Sequence, residues 1–313
     1  MAGKIVILGV FVADTAYRAD RPPVMGETIM GNSFALGPGG KGSNQAVAAA
    51  RAGGDVHFIT KLGEDAFADM ALATWQDANV QPEITQHSDS YTGAAYIFIE
   101  EATGNNAIII CPGVARTISA EYIDSRKALI READVFMTQL EQPMDAAMQA
   151  LQIARKGGAK TILNPAPAAE LPEGMLELCD YVTPNETEAA ALSGMPVGSV
   201  DEAREAAELL LAMGVGAVII TLGENGALYH DNTRSEHIPA ISAGPVVETT
   251  GAGDAFNGGF AVALARGDDP IDAVRFGCAT AGISVTRPGT APSMPLLGEI
   301  EALLAKQPAP LST

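Results

Sequence analysis

The chain opens on an apolar run, Lys4-Ile5-Val6-Ile7-Leu8-Gly9-Val10-Phe11, which gives way to polar residues at Asp14. A strand covered by helices on both faces has this unbroken pattern, so the run predicts a central parallel strand ending near Asp14. Between residues 15 and 36 the pattern breaks up: Pro22-Pro23, Gly26 and Gly31 punctuate short segments such as Glu27–Met30 and Ser33–Leu36. An alanine-rich helix is then predicted over Gly42–Gly53, a strand over Val56–Lys61 and a helix over Phe67–Ala78. Ala94–Glu100 and Ala107–Cys111 read as strands joined by the turn Thr103-Gly104-Asn105-Asn106, a hairpin signal. The segments at about 15–36 and 92–110 are therefore expected to pair into a small sheet apart from the main one. A lid is one use for such a sheet; a hairpin packed on the core fits the same pattern.

From residue 120 strand and helix alternate. Val135–Thr138, Thr161–Asn164, Tyr181–Thr183 and Ala217–Thr221 are the strands, with helices near 143–156 and 200–213. The rhythm predicts an α/β fold: a single domain over 1–313, with a doubly wound, mostly parallel sheet flanked by helices and the small β-sheet lid inserted into it. Ligands of such sheets bind beyond the carboxyl ends of the strands. Polar residues cluster there: Asp14, Glu141, Asn164, Asn185, and Thr221 with Gly223.

Composition narrows the function. At a formal net charge of −19 over 313 residues, the chain lacks the basic stripe that nucleic acid requires. An anionic ligand would need local help from lysine, arginine, Mg²⁺ or helix ends. Cys111, Cys179 and Cys278 are far apart and without CxxC spacing, so neither a disulfide framework nor a zinc cluster is indicated and a reducing cytoplasm is expected. The opening run reads as a buried strand, with a signal peptide as the alternative. No stretch reaches the roughly 18 apolar residues of a membrane span.

The chemistry concentrates at Glu248-Thr249-Thr250-Gly251-Ala252-Gly253-Asp254, which leads into a helical run over Ala255–Arg266. Gly251, Ala252 and Gly253 are able to turn their N–H groups towards the positive end of that helix, where a phosphate or a developing oxyanion is stabilised. Asp254 is a carboxylate in a place suited to anions. It either caps its own helix or acts as a general base beside an anion hole, deprotonating a hydroxyl that attacks a phosphoryl group.

Three further clusters weigh on that choice. Gly37-Pro38-Gly39-Gly40-Lys41-Gly42-Ser43-Asn44 contains GxGxxG, but about 25 residues past the first strand instead of closing it, and no Ser or Thr follows Lys41 as a Walker loop requires. Lys41 and Asn44 nevertheless present hydrogen-bonding groups at a helix start. Asn185-Glu186-Thr187-Glu188 follows a strand; Asn185 and Glu188 either form a capping box or hold Mg²⁺ through water. Thr221-Leu222-Gly223-Glu224-Asn225-Gly226 is a strand end with a glycine turn suited to covering phosphates.

In this order, from Ile5 to Pro295, these clusters resemble the ribokinase-like family of sugar kinases. Gln139-Leu140-Glu141, Asn164-Pro165-Ala166-Pro167 and Ser293 add to the likeness. The resemblance implies phosphoryl transfer from ATP to a sugar hydroxyl, an α/β core and a β-sheet lid that forms a homodimer contact. It implies Asp254 as base with Gly251, Ala252 and Gly253 as anion hole. Asp14, Gly40, Lys41, Gly42, Ser43, Asn44 and Glu141 would hold the sugar; Asn185 and Glu188 would position Mg²⁺ and phosphates. Thr221, Gly223, Glu224 and Gly226 would line the nucleotide site, with Cys278 near the adenine.

Two departures stand out. The family places Asn two residues before the first aspartate, where this chain has Val12. Its monovalent-cation site uses an Asp where this chain has Glu248; the carbonyls of Thr250, Ser284, Arg287 and Gly289, with Ser293, would complete a K⁺ site. A pentose kinase for ribose or 2-deoxyribose accounts for every cluster. A same-family kinase of a nucleoside, a hexose or a keto-deoxy sugar is the nearest rival. A sugar-responsive binding protein would not need Asp254 with its glycines, and a nicotinamide oxidoreductase rests on the misplaced GxGxxG alone.

Overall fold

Alternation inside the first apolar run sets the layers. Ile5 and Ile7 belong to one buried cluster and Val6 and Leu8 to the other, as side chains on opposite faces of one strand must. A computed structural model describes residues 3–307; the sequence predicts a loose tail over Gln307–Thr313, which past Gln307 lies outside the described residues. In chain order the strands are β1 (Lys4–Leu8), β2 (Val12–Ala19), β3 (Ser33–Gly39), β4 (Asp55–Gly63), β5 (Gln81–His87), β6 (Thr92–Glu100), β7 (Asn106–Gly113), β8 (Val135–Thr138), β9 (Lys160–Leu163), β10 (Tyr181–Val182), β11 (Ala217–Thr221), β12 (Ala227–Asp231) and β13 (Ser235–Ile238). The helices are α1 (Lys41–Arg51), α2 (Ala66–Ala78), α3 (Ala120–Asp124), α4 (Lys127–Arg131), α5 (Met144–Gly157), α6 (Glu186–Ser193), α7 (Val200–Ala212), α8 (Ala252–Arg266), α9 (Pro270–Ser284) and α10 (Leu297–Leu304).

The main sheet has nine strands in the order β13-β12-β11-β10-β9-β8-β1-β4-β5. It is parallel from β11 to β5, with β12 and β13 added antiparallel at one edge. Helices α1, α2, α8 and α9 cover one face and α5, α6 and α7 the other. Strand order turns at β1, which lies between β4 and β8, and a ligand crevice belongs at such a switch point. No helix among the described residues is long and apolar enough to cross a membrane.

The second sheet has the order β3-β2-β6-β7 and starts earlier than its pattern suggested. The first strand ends at Leu8, and Val12 already opens β2, so Asp14 lies within the small sheet instead of closing the central strand. The crossing stays buried because Gly9 lets the chain press against α1: a Cβ there would lie 2.7 Å from the Cα of Gly42. One face of this sheet leaves Tyr17, Phe34, Leu36, Tyr96 and Ile109 exposed, with the Tyr17 ring 5.1 Å from Phe34 and 5.4 Å from Tyr96. The edge strands β5 and β13, and β12 beside the latter, carry no apolar run that marked them in the sequence.

Candidate active site

Helix α8 begins at Ala252, earlier than its apolar run, because Gly251 adopts φ 81° and turns the chain into it. Only glycine takes that conformation without strain. Of the three N–H groups expected at an anion hole, that of Ala252 is given to the Thr249 carbonyl at 3.1 Å. Those of Gly251 and Gly253 have no acceptor among the described residues, and they lie at the positive end of the helix.

Asp254 does not cap the helix, which has no side-chain cap bond. Its carboxylate is turned inward, 7% exposed, where Oδ2 accepts from Asn44 Nδ2 and Oδ1 from Gln45 Nε2, both at 3.0 Å. Burial raises its pKa; Lys41, Asn44 and Gln45 oppose the rise. Nearby, burial and then the charge of Asp254 push Asp14 up to about 6. Burial likewise pushes Glu141 up to about 7, although Lys41 holds it down and donates its backbone N–H to Glu141 Oε2 at 2.8 Å. Burial would lower the Lys41 ammonium, but Asp254, Glu141 and Glu188 outweigh it and raise its pKa. The centre is a lysine surrounded by carboxylates that share too little water to stay fully charged without it.

A cleft of about 150 Å³ opens over this centre. Of the expected residues, Lys41, Asn185, Glu188, Thr221, Gly251, Ala252, Gly253 and Asp254 line it. So do Thr183 and Asn257, which sequence reasoning missed as site residues. Thr183 follows β10 and Asn257 lies one turn after Asp254, positions that carried the only signal for them; the Thr183 hydroxyl donates to Asn257 Oδ1 at 2.6 Å. Asn44 reaches the centre through Asp254, and Gly40 (φ 87°) passes so close to the crossing between β1 and β2 that a Cβ would lie 2.5 Å from the Val10 carbonyl.

Other expected residues lie outside the lining of this cleft. Gly42 is a packing glycine pressed on Gly9, and Ser43 is fully buried, accepting from Trp75 Nε1 at 2.9 Å; neither lines the cleft. Val12 lies in the apolar cluster that holds Val10, Ala95 and Leu140, and is not at the cleft wall. Gly223, Glu224 and Gly226 form a 3-10 turn outside the cleft lining; a Cβ on Gly226 (φ 90°) would lie 2.1 Å from the Ile238 carbonyl. Cys278 is buried in α9 away from the cleft, its thiol pushed up to about 12 by burial.

Asn185 and Glu188 form the capping box in full: Asn185 N–H donates to Glu188 Oε2 at 2.9 Å and Glu188 N–H to Asn185 Oδ1 at 2.8 Å. Glu188 Oε1 stays uncommitted beside the cleft, which fits a cation held through water and not a direct ligand cage. Among the described residues no group of three or more His, Cys, Asp or Glu is placed to hold a metal. At the expected K⁺ site, Glu248 Oε2 accepts from Gly289 N–H at 2.8 Å and the Ser284 carbonyl from Arg287 N–H at 3.1 Å. The Arg287 guanidinium pairs with Glu299, and Ser293 Oγ donates to the Thr290 carbonyl at 2.7 Å. Glu248 and Ser293 are thus partly committed, while the carbonyls of Thr250, Arg287 and Gly289 accept no hydrogen bond among the described residues.

Residues 2–297 match the pfkB family of carbohydrate kinases. A ribokinase of Staphylococcus aureus is 38% identical over 304 residues, 96% of this chain and 99% of that one. A deoxyribokinase of Salmonella typhi is 35% identical over 303 residues, 96% and 98% of the two chains. The solved structure of an Arabidopsis thaliana ribokinase complexed with ribose and ATP superposes with a TM-score of 0.93, at 30% identity, over 98% of this chain and 100% of that one.

Proposed function

The chain belongs to the pfkB family of carbohydrate kinases, ribokinase-like phosphotransferases, and we propose that it moves the γ-phosphoryl group of ATP to a pentose hydroxyl with Asp254 as general base. One observation carries this most directly: a buried carboxylate, turned away from its own helix, beside unclaimed N–H groups and a lysine. A hydroxyl placed at Asp254 loses its proton as it attacks, and the N–H groups of Gly251 and Gly253 meet the charge that grows on the phosphoryl oxygens. Asp14, Gly40, Lys41, Asn44 and Glu141 surround the sugar in this reading, and Thr221 with the Gly223–Gly226 turn borders the nucleotide. Mg²⁺ would screen the phosphate charge, held by Glu188 and Asn185 through water. The exposed aromatic and aliphatic face of the lid supports a homodimer joined there.

The test is an ATP-consumption screen over pentoses, deoxypentoses, hexoses and nucleosides; no ADP with any of them would leave a binding protein. Val12 sharpens it. It shares a face of β2 with Asp14, and although it lies behind the cleft wall, a sugar hydroxyl that reaches it meets an isopropyl group with no hydrogen bond to offer, at a cost on the order of 1–3 kcal/mol. We therefore expect 2-deoxyribose to match or exceed ribose in kcat/KM, with ribose still a substrate because apolar pockets reject a hydroxyl only about 10²-fold. Val12→Asn should swing that ratio towards ribose. A parent that favours ribose, with a ratio unmoved by Val12→Asn, would mean that Val12 only packs the lid.

Potassium is proposed beneath the anion hole, where the carbonyls of Thr250, Arg287 and Gly289 and the Glu248 carboxylate would hold the turn. Turnover is expected to be higher in K⁺ than in Na⁺ or tetramethylammonium. Equal rates in all three would indicate that the Glu248–Gly289 bond fixes the turn unaided.

A further inference from the structure

We infer that Gln45 is a positioning residue for the general base: its amide fixes the rotation of the Asp254 carboxylate. The inference rests on the role given to Asp254 above. Gln45 is fully buried in α1, next to Asn44, and its Nε2 donates at 3.0 Å both to Asp254 Oδ1 and to Asn164 Oδ1. Its Oε1 accepts from Gln139 Nε2 at 2.5 Å. Both N–H groups and the oxygen of the Gln45 amide are therefore engaged.

The two ends of an amide have nearly the same shape, so its direction is set by its partners. Here the direction is anchored on main chain. Asn164 Nδ2 donates to the Thr183 carbonyl at 2.9 Å, and a carbonyl only accepts. Asn164 must therefore present oxygen to Gln45, and Gln45 must answer with nitrogen. The same nitrogen then faces Asp254, where an amide oxygen would repel the carboxylate. The chain Thr183–Asn164–Gln45 thus carries the polarity of a backbone carbonyl to the base.

This donor matters because burial favours the neutral acid, which cannot accept a proton. The charged groups around Asp254 are Lys41 on α1, Asp14 on β2, Glu141 after β8 and Glu188 on α6, three carboxylates against one ammonium. Hydrogen-bond donation from Asn44 and Gln45 supplies what the charges alone do not. Asn44 Oδ1 has no partner of its own, so Asn44 is held through its Nδ2 alone, while Gln45 is held at both ends.

The test is Gln45→Met in the full chain, with D-ribose and ATP both saturating, so that the pH profile of kcat reports the bound complex instead of the sugar-facing carboxylates of the free enzyme. Turnover should fall about 10–100-fold, as for a misaligned reacting group. The KM for ribose should stay within about threefold. The acid limb of kcat should move up by about one pH unit as the carboxylate loses a donor. An unmoved limb overturns the inference however far turnover falls, since a packing defect would not shift it. Should Gln45→Met not fold, Gln45→Glu keeps the shape of the side chain and replaces the N–H that faces Asp254 with an oxygen; a raised limb supports the inference and an unmoved one overturns it. Full turnover in Asp254→Asn sinks the base assignment and this inference together. An inactive Asp254→Asn beside an unmoved Gln45→Met limb sinks the inference alone.

Discussion

Asp254→Asn is expected to lower turnover by about 10²–10⁴-fold, the range for loss of a general base. Asparagine keeps the size of the side chain and its place under the Gly251 turn, so the cleft should keep its shape. What disappears is an oxygen able to take a proton. Asn44 and Gln45 both donate to the native carboxylate, so one of them would face the new amide nitrogen instead. That clash should lower thermal stability modestly, as the loss of one buried hydrogen bond costs about 1–3 kcal/mol. ATP affinity, read by calorimetry, should change little because the N–H groups of Gly251 and Gly253 remain. Near-normal turnover would leave Asp254 as a buried structural carboxylate and remove the base from the proposed mechanism.

That Asp254 faces inward was not legible from its neighbours in sequence. An aspartate at a helix start has two places to turn, onto its own N–H groups or away from them. The choice is made by Asn44 and Gln45, which lie 210 and 209 residues earlier and meet it only because α1 packs on α8. The turn itself was legible, since a glycine pair before an apolar helical run specifies a positive-φ entry and unclaimed N–H groups. Even so, Ala252 bends its N–H back onto Thr249, a detail of turn geometry that composition does not encode. The Lys41 cluster was read as five adjacent ligand groups, Gly40 to Asn44, but a helix presents different faces. Lys41 and Asn44 look towards the centre, whereas Gly42 and Ser43 look into the core and meet Gly9 and Trp75. The inner parallel strands were found because they are buried on both faces and read as apolar runs, whereas β5 at the edge was not. The lid began earlier than expected because Val10–Ala13 stays apolar while passing from one sheet to the other.

Lys41→Met should produce the other large effect. Methionine keeps the apolar stem of the lysine and removes its charge, the only cationic group lining the cleft among the described residues. Three carboxylates, Asp254, Glu141 and Glu188, then lose the ammonium that offsets their burial. Glu141, pushed up to about 7 even with Lys41 present, should rise further, and Asp254 with it. A base that stays protonated at neutral pH does not accept a proton, and an incoming phosphate loses a positive partner. Together these should lower turnover by about 10²–10³-fold. The stability change has a definite sign. A carboxyl whose folded pKa exceeds its unfolded one binds more protons in the folded state. Its presence therefore costs stability as pH rises from the unfolded value, near 4.5 for Glu141, through the folded one. Lys41→Met widens that gap, so its deficit in Tm against the parent should be small near pH 5 and grow towards pH 8. Lys41→Arg, which keeps the charge, should not show this growth. A Tm deficit independent of pH, with turnover near the parent's, would mean that water rather than Lys41 compensates the carboxylates.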